Sequence, residues 1–216
     1  MSKIEEIKES FTFEGVECSL ATGKIARRAG AAVEGRMGGT VVLATVDVGS
    51  SSEGFDYFPL NIEYIEKLYA GGVISSSRFI KREGHPSADA TLAARMLDRS
   101  IRCRFPSDYR NNVVIILTVL SYDPEYDPLI IGFSAVSAAL MISKVPFEGP
   151  VAGIRVGYKD SKVVPIIKDL CFEENGDTTE LNFVMGTDGK VITMIDADAH
   201  ILPEEKIAEA MKFGVE

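Results

Sequence analysis

The sequence predicts an α/β fold of mixed, mainly antiparallel strands packed with helices, and three observations carry that prediction. Strand-like segments, alternating or rich in β-branched residues, recur from end to end between Gly, Pro and Ser clusters. Helix start signals stand at only three places: Pro86-Ser87, Asp127-Pro128 and Pro203. No linker-like shift of composition and no internal repeat divides the 216 residues. With 46% of them hydrophobic, the chain can bury one sizeable core or at most two small ones. Residues 1–216 are therefore expected to form one domain.

Taken in order, Phe11 to Cys18 alternates as a half-buried strand does. Ala31–Arg36 and Thr40–Asp47 follow as strands joined by a Gly38-Gly39 hairpin turn, the second rich in β-branched residues. Gly49 to Gly54 reads as a Ser/Gly loop, Phe58–Glu66 as a strand, and Ala70 to Ser77 as a flexible connection. Ser87 is a good N-cap for the first long helix, and Asp89 suits the positive end of its dipole. That helix is expected to run to about Arg104 and stop before Pro106. Asn112–Ser121 is a continuous apolar run, expected to be covered on both faces. The second helix runs from Asp127-Pro128 to about Ser143. Its small residues (Gly132, Ser134, Ala135, Ser137, Ala138, Ala139) would allow close packing on a sheet. Strands are expected near Val151–Tyr158, Val163–Ile167, Glu180–Met185 and Val191–Asp196. Pro203 begins a last helix, through about Phe213.

Composition excludes several classes. No apolar run approaches the roughly 18–20 residues that span a membrane. MSKIEEIKES lacks an apolar signal region, so no membrane partner and a cytoplasmic address are expected. Three widely spaced cysteines, Cys18, Cys103 and Cys171, argue against a disulfide framework or a Cys-based zinc site; three reduced, mostly buried thiols are expected. His85 and His200 lie far apart, and no P-loop or dinucleotide fingerprint is present.

Charge is distributed unevenly. The whole chain carries −9, yet residues 78–104 hold seven basic side chains against three acidic ones, leaving −13 on the remainder. A local cationic block on an acidic protein points to a polyanion site. At about 100° per residue, Arg95, Arg99 and Arg102 (i, i+4, i+7) share one stripe of the first helix, with Leu92, Met96, Leu97 and Ile101 expected on the other side. Guanidinium is always charged and binds phosphate bidentately. The competing reading is that these arginines are solvated or pair with Asp98 and other carboxylates. Before them, Phe79 stands among cations (Arg78, Lys81, Arg82), an arrangement suited to single-stranded nucleic acid: bases stack on the ring while phosphates meet the charges.

The run FIKREGHPS…LAARMLDRSIRCRFP resembles the first ribonuclease-PH-like core of bacterial polynucleotide phosphorylases (polyribonucleotide nucleotidyltransferases). LATGKIARRAGAAV, FPLNIEYIEKLYAGG, VPFEGPVAGIRVGY and MIDADAHILPEEKIAEAMKFG extend the resemblance over nearly all of residues 11–216. It implies a fold like that of ribosomal protein S5 domain 2, and a homotrimeric ring whose channel guides the 3′ end of RNA. It also implies a second ribonuclease-PH-like core as partner in a longer chain. The family degrades RNA 3′→5′: inorganic phosphate, as co-substrate, releases nucleoside diphosphates, with magnesium or manganese assisting. The family's Phe-Phe-Arg-Arg loop falls on Phe79, Ile80, Lys81 and Arg82, so Ile80 removes one stacking ring and Lys81 one bidentate fork. A family Arg falls on His85, whose imidazole replaces an always-charged guanidinium. Arg95, Arg99, Arg102 and Arg155 match family arginines near the RNA path and the domain interface.

Two departures from catalytic cores of the family bear on chemistry. Their Ser-rich, phosphate-holding turn before the second helix corresponds here to Asp127-Pro128-Leu129, where Asp repels phosphate and Pro offers no N–H. Of their two metal-binding Asp residues, the second falls by register on Asn182, which lacks the charge a cation wants. Glu173, Glu174, Asp177 and Glu180 read as a solvated loop. Asp196 and Asp198 share a strand face and are expected to serve a strand end or interface. The expectation is an RNA-binding, ring-forming core that is non-catalytic alone and binds no metal itself. The alternatives are a self-sufficient ribonuclease-PH-like exoribonuclease, or an inert RNA-binding ring subunit of an exosome-like assembly.

Overall fold

A computed structural model describes residues 5–51, 56–73, 85–159, 162–167 and 180–215. Two sheets share the chain. The first has six strands in the order β1-β2-β3-β4-β6-β5: β1 Ile7–Phe13, β2 Val16–Thr22, β3 Ala31–Met37, β4 Thr40–Ser51, β5 Leu60–Ile65 and β6 Asn111–Ser121. Every pairing is antiparallel except β5 with β6, which are parallel because α1, Ala88–Arg102, crosses over between them. The second sheet, order β10-β9-β7-β8, is antiparallel throughout: β7 Ala152–Lys159, β8 Lys162–Pro165, β9 Leu181–Thr187 and β10 Ile192–Ala199. Among the described residues there are two further α-helices, α2 Pro128–Ile142 and α3 Glu204–Val215. The expected mixed, mainly antiparallel α/β class is what forms.

Three local expectations are corrected. Phe11–Cys18 is not one strand but the heart of a hairpin: Glu14 and Gly15, both at positive φ, turn the chain and set Phe13 opposite Val16. The alternation reads straight through because a two-residue turn brings both strands into register. β6 is fully buried on one face only. Val113, Ile115, Leu117 and Val119 point to the helices, and the residues between them are half-buried, because α1 and α2 share one side of the sheet. Cys18 is buried, which pushes its thiol pKa up, but Cys103, just past α1, is exposed; Cys171 lies outside the described residues.

The main core lies between the two sheets, around α2. This helix is apolar on nearly all sides and buries Leu129, Ile130, Ile131, Phe133, Val136 and Leu140. Its small residues do admit close packing, but the sheets contribute glycines of their own. A Cβ on Gly35 would stand 3.1 Å from Ala135 and Ile131, and one on Gly153 would overlap the Phe133 ring. Ser137 Oγ also accepts the Val151 N–H at 2.8 Å, fastening α2 to the approach to β7. Val184 and Met194 of the second sheet join this core, while Leu181, Phe183 and Met185 face the opposite way and pack under α3 with Ala210. Among the described residues no helix is long and apolar enough to cross a membrane.

Candidate nucleic-acid interface

α1 forms where its caps predict. Ser87 Oγ accepts the Ala90 N–H at 2.9 Å and donates to Glu66 Oε2 at 3.0 Å, so the cap also ties the helix to the end of β5. Ala90, Ala93, Leu97, Ser100 and Ile101 face the core. Arg95, Arg99 and Arg102 are exposed on the far side, as the spacing requires. Leu92 is a correction: it is 49% exposed. Seven residues separate it from Arg99, an angular difference of only about 20°, so it belongs to the basic face.

The three arginines are not equivalent. Arg102 grips Asp98 bidentately (Nε to Oδ2 3.0 Å, Nη2 to Oδ1 2.6 Å). It also donates to the carbonyls of Phe58 (3.1 Å) and Leu60 (3.3 Å) and lies over the Phe58 ring. It is a clamp between the end of α1 and the start of β5, and the predicted alternative of pairing with Asp98 applies to it. Arg95 and Arg99 have no ion pair among the described residues. His85 is exposed two residues before the cap. Phe79, Ile80, Lys81 and Arg82 lie outside the described residues, as do Glu173, Glu174 and Asp177.

Arg155 is placed inside the molecule. Its side chain is 12% exposed and its Nη2 stands 2.8 Å from Oδ2 of Asp127, itself 7% exposed. Asp127 caps α2, its Oδ1 accepting the Leu129 N–H at 2.8 Å, while its own N–H donates to Ile167. One carboxylate thus occupies the positive end of α2 and neutralises the guanidinium from β7. Arg155 thus stands between β7 and the N-terminus of α2, its guanidinium engaged by Asp127. Nearby, Asn182 lies opposite Asp198, with its Oδ1 buried and without a hydrogen-bond partner among the described residues. Asp196 and Asp198 share a strand face, as their spacing implies, and both are exposed. Among the described residues no three His, Cys, Asp or Glu groups gather as metal ligands.

A second ion pair was not legible beforehand. Arg104, just past α1, pairs with Asp188 in the β9–β10 turn. The N–H groups of Val191 and Lys190, followed by the Arg104 guanidinium, hold the Asp188 carboxyl down at about 2. TDGK does read locally as an Asp-initiated turn, but the partner lies 84 residues away. Because the folded pKa is depressed, this carboxylate contributes stability that is complete above its ordinary 3.8 and lost as pH falls through about 2. Asp188→Asn keeps a backbone acceptor and loses the charge. Its stability deficit in urea melts should therefore be full at neutral pH and shrink between pH 4 and 2.

The two-sheet α/β fold, with an arginine-bearing crossover helix on its surface, is a ribonuclease-PH-like core. The chain belongs to the 3′ exoribonuclease family: residues 16–146 match the family's domain 1 and residues 149–216 its domain 2. It is 41% identical over 201 residues to the polyribonucleotide nucleotidyltransferase of Thermotoga petrophila, a match covering 93% of this chain and 28% of that protein. The chain therefore spans little more than a quarter of its curated relative. Its fold is like that in the crystal structure of rice (Oryza sativa) Rrp46, with a TM-score of 0.70 at 13% identity, over 92% of this chain and 87% of that one.

Proposed function

We propose that this chain is the first ribonuclease-PH-like core of a polyribonucleotide nucleotidyltransferase, a core that binds single-stranded RNA and assembles into a ring but does no phosphorolysis alone. In the whole enzyme, inorganic phosphate attacks phosphorus at the last 3′ linkage. A new P–O bond forms as the bond to the preceding 3′ oxygen breaks, and a nucleoside diphosphate leaves. Here the described residues form one folding unit, a reading supported by α1 and α2 touching both sheets. Its contacts to RNA in this reading are Arg95 and Arg99, together with His85 and, on the family resemblance, Phe79, Ile80, Lys81 and Arg82. Trimerisation and a second core of the same protein as partner are part of this proposal, supported by the likeness to the longer relative.

The observation that carries the non-catalytic reading is the Asp127 carboxylate, buried against α2 and paired with Arg155. A phosphate brought there would meet a fixed negative charge and a guanidinium already engaged. The donor set does not suit magnesium or manganese either: Asn182 offers a neutral amide, and Asp196 and Asp198 stand on one exposed strand with no third ligand among the described residues. Incubated with poly(A), phosphate and either cation, the chain should release no nucleoside diphosphate above background. Phosphate-dependent release would instead favour a self-sufficient exoribonuclease.

A further inference from the structure

The connection between β5 and the basic stretch carries three large apolar side chains turned to solvent. Leu68 is 46%, Tyr69 57% and Val73 54% exposed, all within six residues. They are held on a rigid step, the 3₁₀ turn Leu68–Gly71. Ala70 N–H donates to Lys67 at 2.9 Å, Gly72 N–H to Tyr69 at 3.0 Å and Val73 N–H to Leu68 at 3.1 Å, with Gly72 in the left-handed region. The Tyr122 N–H donates to Ala70 O at 3.0 Å, pinning the turn to the end of β6, and Ala70 packs on the main core. Three large apolar side chains exposed within six residues form a local patch, and such patches mark binding sites.

Their position indicates what they bind. The Ser87–Glu66 hydrogen bond holds the residue two positions before this turn at the N-cap of α1. Along that helix Arg95 and Arg99 follow at about 12 and 18 Å from the cap. An exposed aromatic ring on the segment leading into a helix whose arginines have no ion pair among the described residues is a combination that suits single-stranded nucleic acid: the ring takes a base and the cations take phosphates. Three side chains fall far short of the roughly 800 Å² per partner of a stable protein interface, whereas stacking one base needs one ring. Resting on the RNA-binding reading above, we propose that Tyr69 is a base-stacking residue for single-stranded RNA, with Leu68 and Val73 as the apolar flank of the stack.

The test compares wild type, Tyr69→Ala and Tyr69→Phe by fluorescence anisotropy on an oligo(A) RNA and on an abasic ribose-phosphate oligomer of equal length. Tyr69→Ala should bind oligo(A) about ten-fold more weakly, and Tyr69→Phe like wild type. On the abasic oligomer all three should bind alike, because only phosphates remain to be held. Equal affinity of wild type and Tyr69→Ala for oligo(A) overturns the assignment. It does so doubly if sedimentation shows that the substitution changes the oligomeric state, for then the step is a contact between copies. Failure of wild type itself to bind oligo(A) overturns the RNA reading on which the assignment rests.

Discussion

Asp127→Ala should lower the unfolding free energy by about 3–5 kcal/mol, the range for breaking one partner of a buried ion pair. Two losses coincide there. The Leu129 N–H loses its acceptor at the cap of α2, and Arg155 keeps a buried charge with no counter-charge at 2.8 Å. For a chain of this size the midpoint of thermal unfolding should fall by roughly 6–20 °C. The double variant Asp127→Ala/Arg155→Met separates the two. It removes the stranded guanidinium and should recover most of the deficit, leaving about 1 kcal/mol for the missing cap. If the double variant is as unstable as the single one, the deficit belongs to the cap, and Arg155 is not the partner that matters. A larger loss in α2 than in a surface helix is expected because α2 lies in the core between the sheets, in contact with β3, β4 and β7.

How much of this was legible in the sequence depends on how local the cause is. Ser87 and Asp127 were readable as helix starts because a cap is a contact across two or three residues. The Gly38-Gly39 turn was readable because Gly38 sits at positive φ, where glycine bears no Cβ penalty. Glu14-Gly15 was missed because Glu at positive φ is an unusual first turn residue, so the alternating pattern outvoted it. The exposure of Leu92 was available from helical arithmetic alone, since its angle matches that of Arg99. What no local pattern could give was which charges meet: Asp127 with Arg155, and Arg104 with Asp188, are joined by the packing of sheets and helices far apart in sequence. Four of the seven cations in 78–104 are among the described residues. Arg102 and Arg104 of these prove to be structural fastenings, and Arg95 and Arg99 are left facing solvent.

That division makes the RNA-binding reading sharper than a charge count. Arg95→Ala/Arg99→Ala should weaken single-stranded RNA binding about ten- to a hundred-fold at low salt, because each removed guanidinium takes away a charge-assisted hydrogen bond to phosphate. It should also flatten the salt dependence. Each phosphate contact on a single strand contributes about −0.7 to the log–log slope, so the double variant should lose about 1.4 units of it. Stability should hardly change, since neither side chain has a partner among the described residues. Arg102→Ala should do the reverse: it removes the bidentate grip on Asp98 and the bonds to Phe58 and Leu60, so it should lower the melting temperature and leave the salt slope intact. A net-charge account predicts the same effect per arginine at all three positions. Titrations at two salt concentrations, beside melts of the same variants, decide between them: equal slopes for Arg95→Ala, Arg99→Ala and Arg102→Ala would mean that RNA senses the overall charge of this face and not two particular side chains.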